Sequence, residues 1–140
     1  MKTIHPMKAK ALLILFGILA ITITSVAQVP KNFIGQTTDQ VKEFLKTQLL
    51  EDDWTEDVNE KGDKWFYVSD GTLTPAFSWY FDKDGKCYHH SFKVDEEAPI
   101  YRSRFKQSQL RYDAKNDHWI DAQNKTTWKV DGRYVVAQKI

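Results

Sequence analysis

The stretch Phe77-Ser78-Trp79-Tyr80-Phe81-Asp82-Lys83-Asp84-Gly85-Lys86-Cys87-Tyr88-His89-His90 decides the fold. Phe77, Trp79 and Phe81 alternate with Ser78 and Tyr80, the period-two pattern of a β-strand. Asp82-Lys83-Asp84-Gly85 follows as a turn, with Gly85 free to take the left-handed conformation that closes a short hairpin. Lys86 to Val94 then reads as the returning strand. An antiparallel hairpin rich in large rings is therefore the nucleus from which the rest is read.

Upstream, Lys64–Ser69 is a second aromatic run, with Trp65 and Tyr67 alternating with Phe66 and Val68. A strand near Trp54–Asn59 precedes it across the turn Glu60-Lys61-Gly62-Asp63. Further back, Thr37 and Gln40 stand at capping-box spacing. Val41, Phe44, Leu45 and Leu49 follow at intervals of three and four, so the pattern predicts an amphipathic helix over 38–50. Downstream, Asp95 is expected to cap a second helix running to about Tyr112, with Tyr101, Phe105, Ser108 and Tyr112 on its buried stripe. Strands at His118–Ala122, Thr126–Val130 and Arg133–Ile140 close the chain, the last two joined at Asp131-Gly132. Short sequential connections favour antiparallel pairing. The expected fold class is α+β: about seven antiparallel strands packed by two helices, in the order helix, four strands, helix, three strands.

There is a faint internal repeat. Phe44 to Leu49 is followed by Trp54 and Trp65, and Phe105 to Leu110 by Trp119 and Trp128, although the spacings differ.

The N-terminus carries a different message. Lys2, Lys8 and Lys10 precede an apolar run from Ala11 to Ile23, and Ser25-Val26-Ala27 offers a small-x-small site. These are the three parts of a secretory signal. Residues 1–27 are expected to be cleaved between Ala27 and Gln28, leaving one domain at 28–140; a retained anchor is the alternative. Met1 and Met7 both offer a start. The only cysteine is Cys87, so no lipid-bearing cysteine follows the cleavage site.

Losing three lysines turns the nominal charge of +1 slightly negative, with both signs interleaved. That disfavours nucleic acid, whose phosphates need a concentrated basic patch, and strong attraction to anionic lipid.

Phe33-Ile34-Gly35-Gln36-Thr37, then Val41 and the Trp-rich meander, resembles small exported proteins of Bacteroidetes-type bacteria, which no catalytic motif defines. The helix-then-meander plan also resembles β-lactamase-inhibitor-like domains and SmpA/OmlA-type assembly proteins, although the latter carry the lipidated cysteine that is missing here. The resemblance implies an export-and-bind role and brings no site residue with it.

Candidate chemistry is sparse. Cys87, His89, His90 and His118 are the metal-ligating or nucleophilic types. Cys87 and His89 are expected to share a strand face, with His90 on the other. Two ligands do not make a structural zinc site, and no CxxC, HExxH or GxSxG pattern occurs. Counted from Asp82, the twelfth position of a calcium loop falls on Lys93, a cation. No metal or cofactor is expected. The aromatic alternation is more suggestive: one face of the sheet buries against the helices, and the other either exposes rings or lies under a further helix or loop. Trp65, Tyr67, Trp79, Tyr80 and Tyr88 are the candidate binding residues. The leading expectation is a non-enzymatic binding domain in the periplasm, at the cell surface or in the medium, with a protein or an envelope glycan as partner. The alternatives are a small secreted enzyme using Cys87 or His89 and His118, and an envelope assembly factor that pairs through a sheet edge.

Overall fold

The first helix begins where its side chains can close its own end. In the computed structural model, which describes residues 29–48 and 54–140, Thr37 Oγ1 accepts from the Gln40 amide at 3.1 Å. Gln40 Oε1 accepts from the Thr37 amide at 2.8 Å, completing the capping box. Helix α1 spans Thr38–Gln48 and buries Val41 and Leu45. Thr37→Ala is expected to cost about 1 kcal/mol, read as a lower urea midpoint at unchanged slope.

Strands β1 (Thr55–Val58), β2 (Lys64–Ser69), β3 (Pro75–Phe81) and β4 (Cys87–Lys93) form a meander. At the β3–β4 turn, Asp82 Oδ1 accepts from the amides of Asp84 and Lys86, and Gly85 takes φ +74°. After a single tight turn at Asp95–Glu97 comes helix α2 (Ala98–Gln107), with Pro99 in its first turn. Strands β5 (Arg111–Asp113), β6 (His118–Asp121), β7 (Thr126–Asp131) and β8 (Tyr134–Lys139) complete a second meander. The sheet order is β1-β2-β3-β4-β8-β7-β6-β5, with every pairing antiparallel. The α+β class with an antiparallel sheet holds.

Three details differ from the sequence reading. The second helix does not reach Tyr112. At Ser108 the backbone turns extended, and both its amide and its hydroxyl donate to the Phe105 carbonyl, which ends the helix. Arg111–Asp113 is thereby freed to pair with β6 as an eighth strand. Asp95 does not cap: it sits at φ +48°, and no side-chain cap bond is made. The third concerns Cys87. Phe81 pairs with Cys87 while Tyr80 pairs with His89, so Tyr88 is an extra residue in a β-bulge. The bulge shifts the alternation by one. Cys87 therefore lies on the same face as Phe81 and His90, and His89 on the opposite one.

One row of register partners crosses the covered face: Phe66, Trp79, His90, Ala137, Trp128 and Trp119, all buried. Its centre falls between β4 and β8, and it reads the same way outward in both directions. Phe66 and Trp79 of the first meander correspond to Trp119 and Trp128 of the second. The helices repeat the relation: Lys42 lies 5.7 Å over Phe66, and Arg102 lies 5.3 Å over Trp119. The chain is thus two helix-plus-meander halves joined at their fourth strands, but the residues that correspond are not those of the sequence repeat: Phe66 and Trp79, not Trp54 and Trp65, stand where the second half has Trp119 and Trp128.

The seam between the halves is filled by the segment before α1. Phe33 packs edge-on against Phe44, Trp79 and His90, with centroids 5.0, 5.6 and 5.1 Å away. Its amide donates to His90 Nε2 at 3.1 Å. Asn32 Nδ2 donates to Thr126 Oγ1, and Gly35 and Gln36 exchange backbone hydrogen bonds with Cys87. The proposed signal, residues 1–27, lies outside the described residues, as does the expected helix end at Leu50. Among the described residues no helix is long and apolar enough to cross a membrane.

Candidate functional site

Both helices and the N-terminal segment sit on one face of the sheet. Among the described residues no helix lies on the opposite face; the β2–β3 loop covers its Lys93 end through Asp70 and Thr72, and strand periodicity decides what the rest shows. One row of register partners there runs Trp65, Tyr80, His89, Gln138 and Thr127 across β2, β3, β4, β8 and β7. The next runs Tyr67, Ser78, Ser91, Val136 and Lys129. Side chains from β3 round to β6 line a single hollow of about 620 Å³, floored by Ser91, His89, Gln138 and Thr127 and bounded by Tyr80 and His118. That volume lies within the range of small-molecule sites.

Trp65 stacks on two rings at once. Its plane lies 6° from that of Tyr80 at 5.1 Å between centroids, and 27° from that of Tyr67 at 4.4 Å. Tyr80 meets His89 at 90° and lies 6.4 Å from Tyr88. Tyr88 donates its hydroxyl to Asp63 Oδ2 at 2.8 Å; desolvation and this carboxylate together push its pKa up to about 12. Burial raises the Tyr80 phenol and lowers the His89 imidazole, so His89 is neutral at pH 7. At the far end His118 Nε2 lies 3.2 Å from Asp113 Oδ2.

Of the five candidate binding residues, Trp65, Tyr67, Tyr80 and Tyr88 come together on the open face. Trp79 does not: it is 2% exposed, on the covered face against Phe33 and Phe77. Adjacent residues of a strand point to opposite sides, so Trp79 and Tyr80 cannot share a surface. Cys87 and His89 are likewise separated. The thiol is buried, its Sγ is 3.5 Å from the His89 carbonyl oxygen, and burial pushes its pKa up to about 12. A thiol so placed is a poor nucleophile. Among the described residues no three His, Cys, Asp or Glu side chains converge on one point.

The sequence reading passed over Gln138, Thr127, Ser91 and Lys129. A signal was present, since Thr127 and Lys129 alternate with Trp128 and Val130 as Tyr80 does with Trp79. What it lacked was the β4–β8 pairing that brings the last hairpin beside the first.

Compared with protein-family models, with curated proteins and with solved structures, the chain finds no match in any of the three.

Proposed function

We propose that this is an exported, non-enzymatic binding domain whose ligand lies on the open face of the sheet. The observation that carries the reading is the hollow of about 620 Å³ on the face the helices leave uncovered, bounded at one end by Tyr80, against whose ring Trp65 and then Tyr67 stack. Concave sites with a few convergent polar groups are where proteins hold ligands. The division of labour between faces supports it: stability resides in the covered row, which leaves the open row free to be chosen for recognition. Binding, rather than catalysis, is favoured because the sole thiol belongs to the core.

The test pairs location with surface. Mass spectrometry of the protein recovered from its host should give an N-terminus at Gln28. Immobilised wild-type domain should retain an envelope component that Tyr80→Ala and Gln138→Ala release, with far-ultraviolet circular dichroism unchanged. Equal retention by wild type and both variants would remove the open face as the site.

A further inference from the structure

We propose that the open face takes a neutral oligosaccharide, laid across the strands from the aromatic ladder towards Thr127. This rests on the reading of that face as a binding site and names its ligand class.

The lining makes the choice. Protein interfaces are anchored by large apolar or aromatic groups seated in dry pockets, and here the floor is mostly hydroxyl, amide and imidazole, with Val136 an aliphatic side chain among them. Ser78 and Ser91 share a hydrogen bond at 2.9 Å. The Tyr80 hydroxyl, the His89 ring nitrogens and the Gln138 amide make no side-chain hydrogen bond to another described residue. They line the hollow with donors and acceptors still free. Tyr80 and His89 are half-buried, and partly sheltered polar groups of this kind favour a ligand that can bond them, while Gln138 is exposed and open to one. A chain of sugar hydroxyls does so at every ring.

Charge points the same way. The hollow is lined by one cation and one anion, Lys129 and Asp131, and burial favours the neutral form of His89. No basic track runs along the groove to neutralise a phosphorylated or sulfated polymer.

Spacing fits as well. Across a sheet one side chain is offered per strand, at intervals of about 4.8 Å, so the row from Trp65 to Thr127 extends about 19 Å. That interval is close to the repeat of an extended β-linked pyranose chain, and successive rings would meet successive side chains. At one end Tyr80 and Trp65 supply surfaces that are part ring carbon and part polar tip, suited to the C–H face and hydroxyls of a pyranose. The other end has no such stack: the architectural repeat places His118 and Lys129 where the first half has Trp65 and Tyr80. The groove is therefore directional.

Titration calorimetry with chitotetraose, cellotetraose and mannotetraose tests the inference. At least one is expected to bind saturably. Affinity should fall at least tenfold, about 1.4 kcal/mol, in both Tyr80→Ala and Gln138→Ala, and should hold when salt rises from about 0.05 to about 0.5 M. Binding to none of the three, while Tyr80→Ala still loses its envelope partner, would overturn the sugar and leave the binding surface standing. Binding only to a sulfated oligosaccharide, with steep salt dependence, would overturn neutrality. A sugar bound equally by wild type and both variants would overturn the site itself.

Discussion

Trp79→Ala is expected to destabilise the domain by about 3–5 kcal/mol, the range for removing a large buried ring. Tyr80→Ala, one residue along, should cost no more than about 1–2 kcal/mol and act on ligand binding instead. Trp79 is 2% exposed and sits between its cross-strand partners Phe66 and His90, with Phe33 and Phe77 against its ring. Truncation leaves a hole among side chains held by three paired strands and the N-terminal segment, which cannot close it without breaking their own packing. Small domains are stable by only about 5–15 kcal/mol, so the loss is a large share of the total. Urea unfolding followed by circular dichroism measures it. One feature of Trp79 moderates the prediction for a gentler change: its indole Nε1 is buried without a hydrogen-bond partner among the described residues. Trp79→Phe removes that orphaned donor along with some volume, and should cost well under half as much as Trp79→Ala. An unchanged midpoint in Trp79→Ala would contradict the assignment of this row to the core.

The neighbouring residues differ so sharply because a strand exposes alternate sides, and that much is legible in the letters. The alternation in Lys64–Ser69 and Phe77–Phe81, the Asp82–Gly85 turn and the Thr37/Gln40 box are local patterns, and each is realised as read. What escaped is non-local or turns on one residue. The bulge at Tyr88 reverses the sides of Cys87 and His89, and nothing in Lys86–Val94 alone calls for it. Ser108 stops a helix whose apolar spacing runs on to Tyr112, because its hydroxyl competes for the carbonyl that would continue the ladder. The β4–β8 seam joins residues 41 to 49 apart in sequence. Without it the polar half of the groove has no neighbour, and the repeat stays faint, since Lys42 over Phe66 and Arg102 over Trp119 preserve a contact without preserving a residue. The rings of the site were visible, and its floor was not.

Acid should unfold the domain earlier than its carboxylates alone would dictate, and His90 is the reason. The ring is 3% exposed, at the centre of the covered row, edge-on to Phe33 and Trp128. Its Nε2 accepts from the Phe33 amide and must be unprotonated to do so. Burial foremost, then the like charges of His89 and Lys31, hold its pKa down to about 3, against 6.5 for a free imidazole. The sign follows from linkage. As pH falls below 6.5 the unfolded chain takes up a proton that the folded chain refuses, so the native state loses ground. The contribution is full above 6.5, falls by about 3 kcal/mol at pH 4, and goes on falling towards the folded value near 3. Depressed carboxylates such as Asp117, held at about 2 by Arg102 and Tyr112, act only as pH drops through and below the ordinary 3.8. The interval from 6.5 to 4 therefore belongs chiefly to histidine, with His89 adding in the same direction. Urea midpoints taken at pH 7.5 and pH 4 should show the drop in wild type. His90→Gln, whose amide can accept from Phe33 without titrating, should flatten most of it even if its stability at pH 7.5 is lower. His89→Gln should retain most of it. A wild-type midpoint that does not move between those pH values would mean that His90 is not the buried neutral acceptor on which the N-terminal segment is seated.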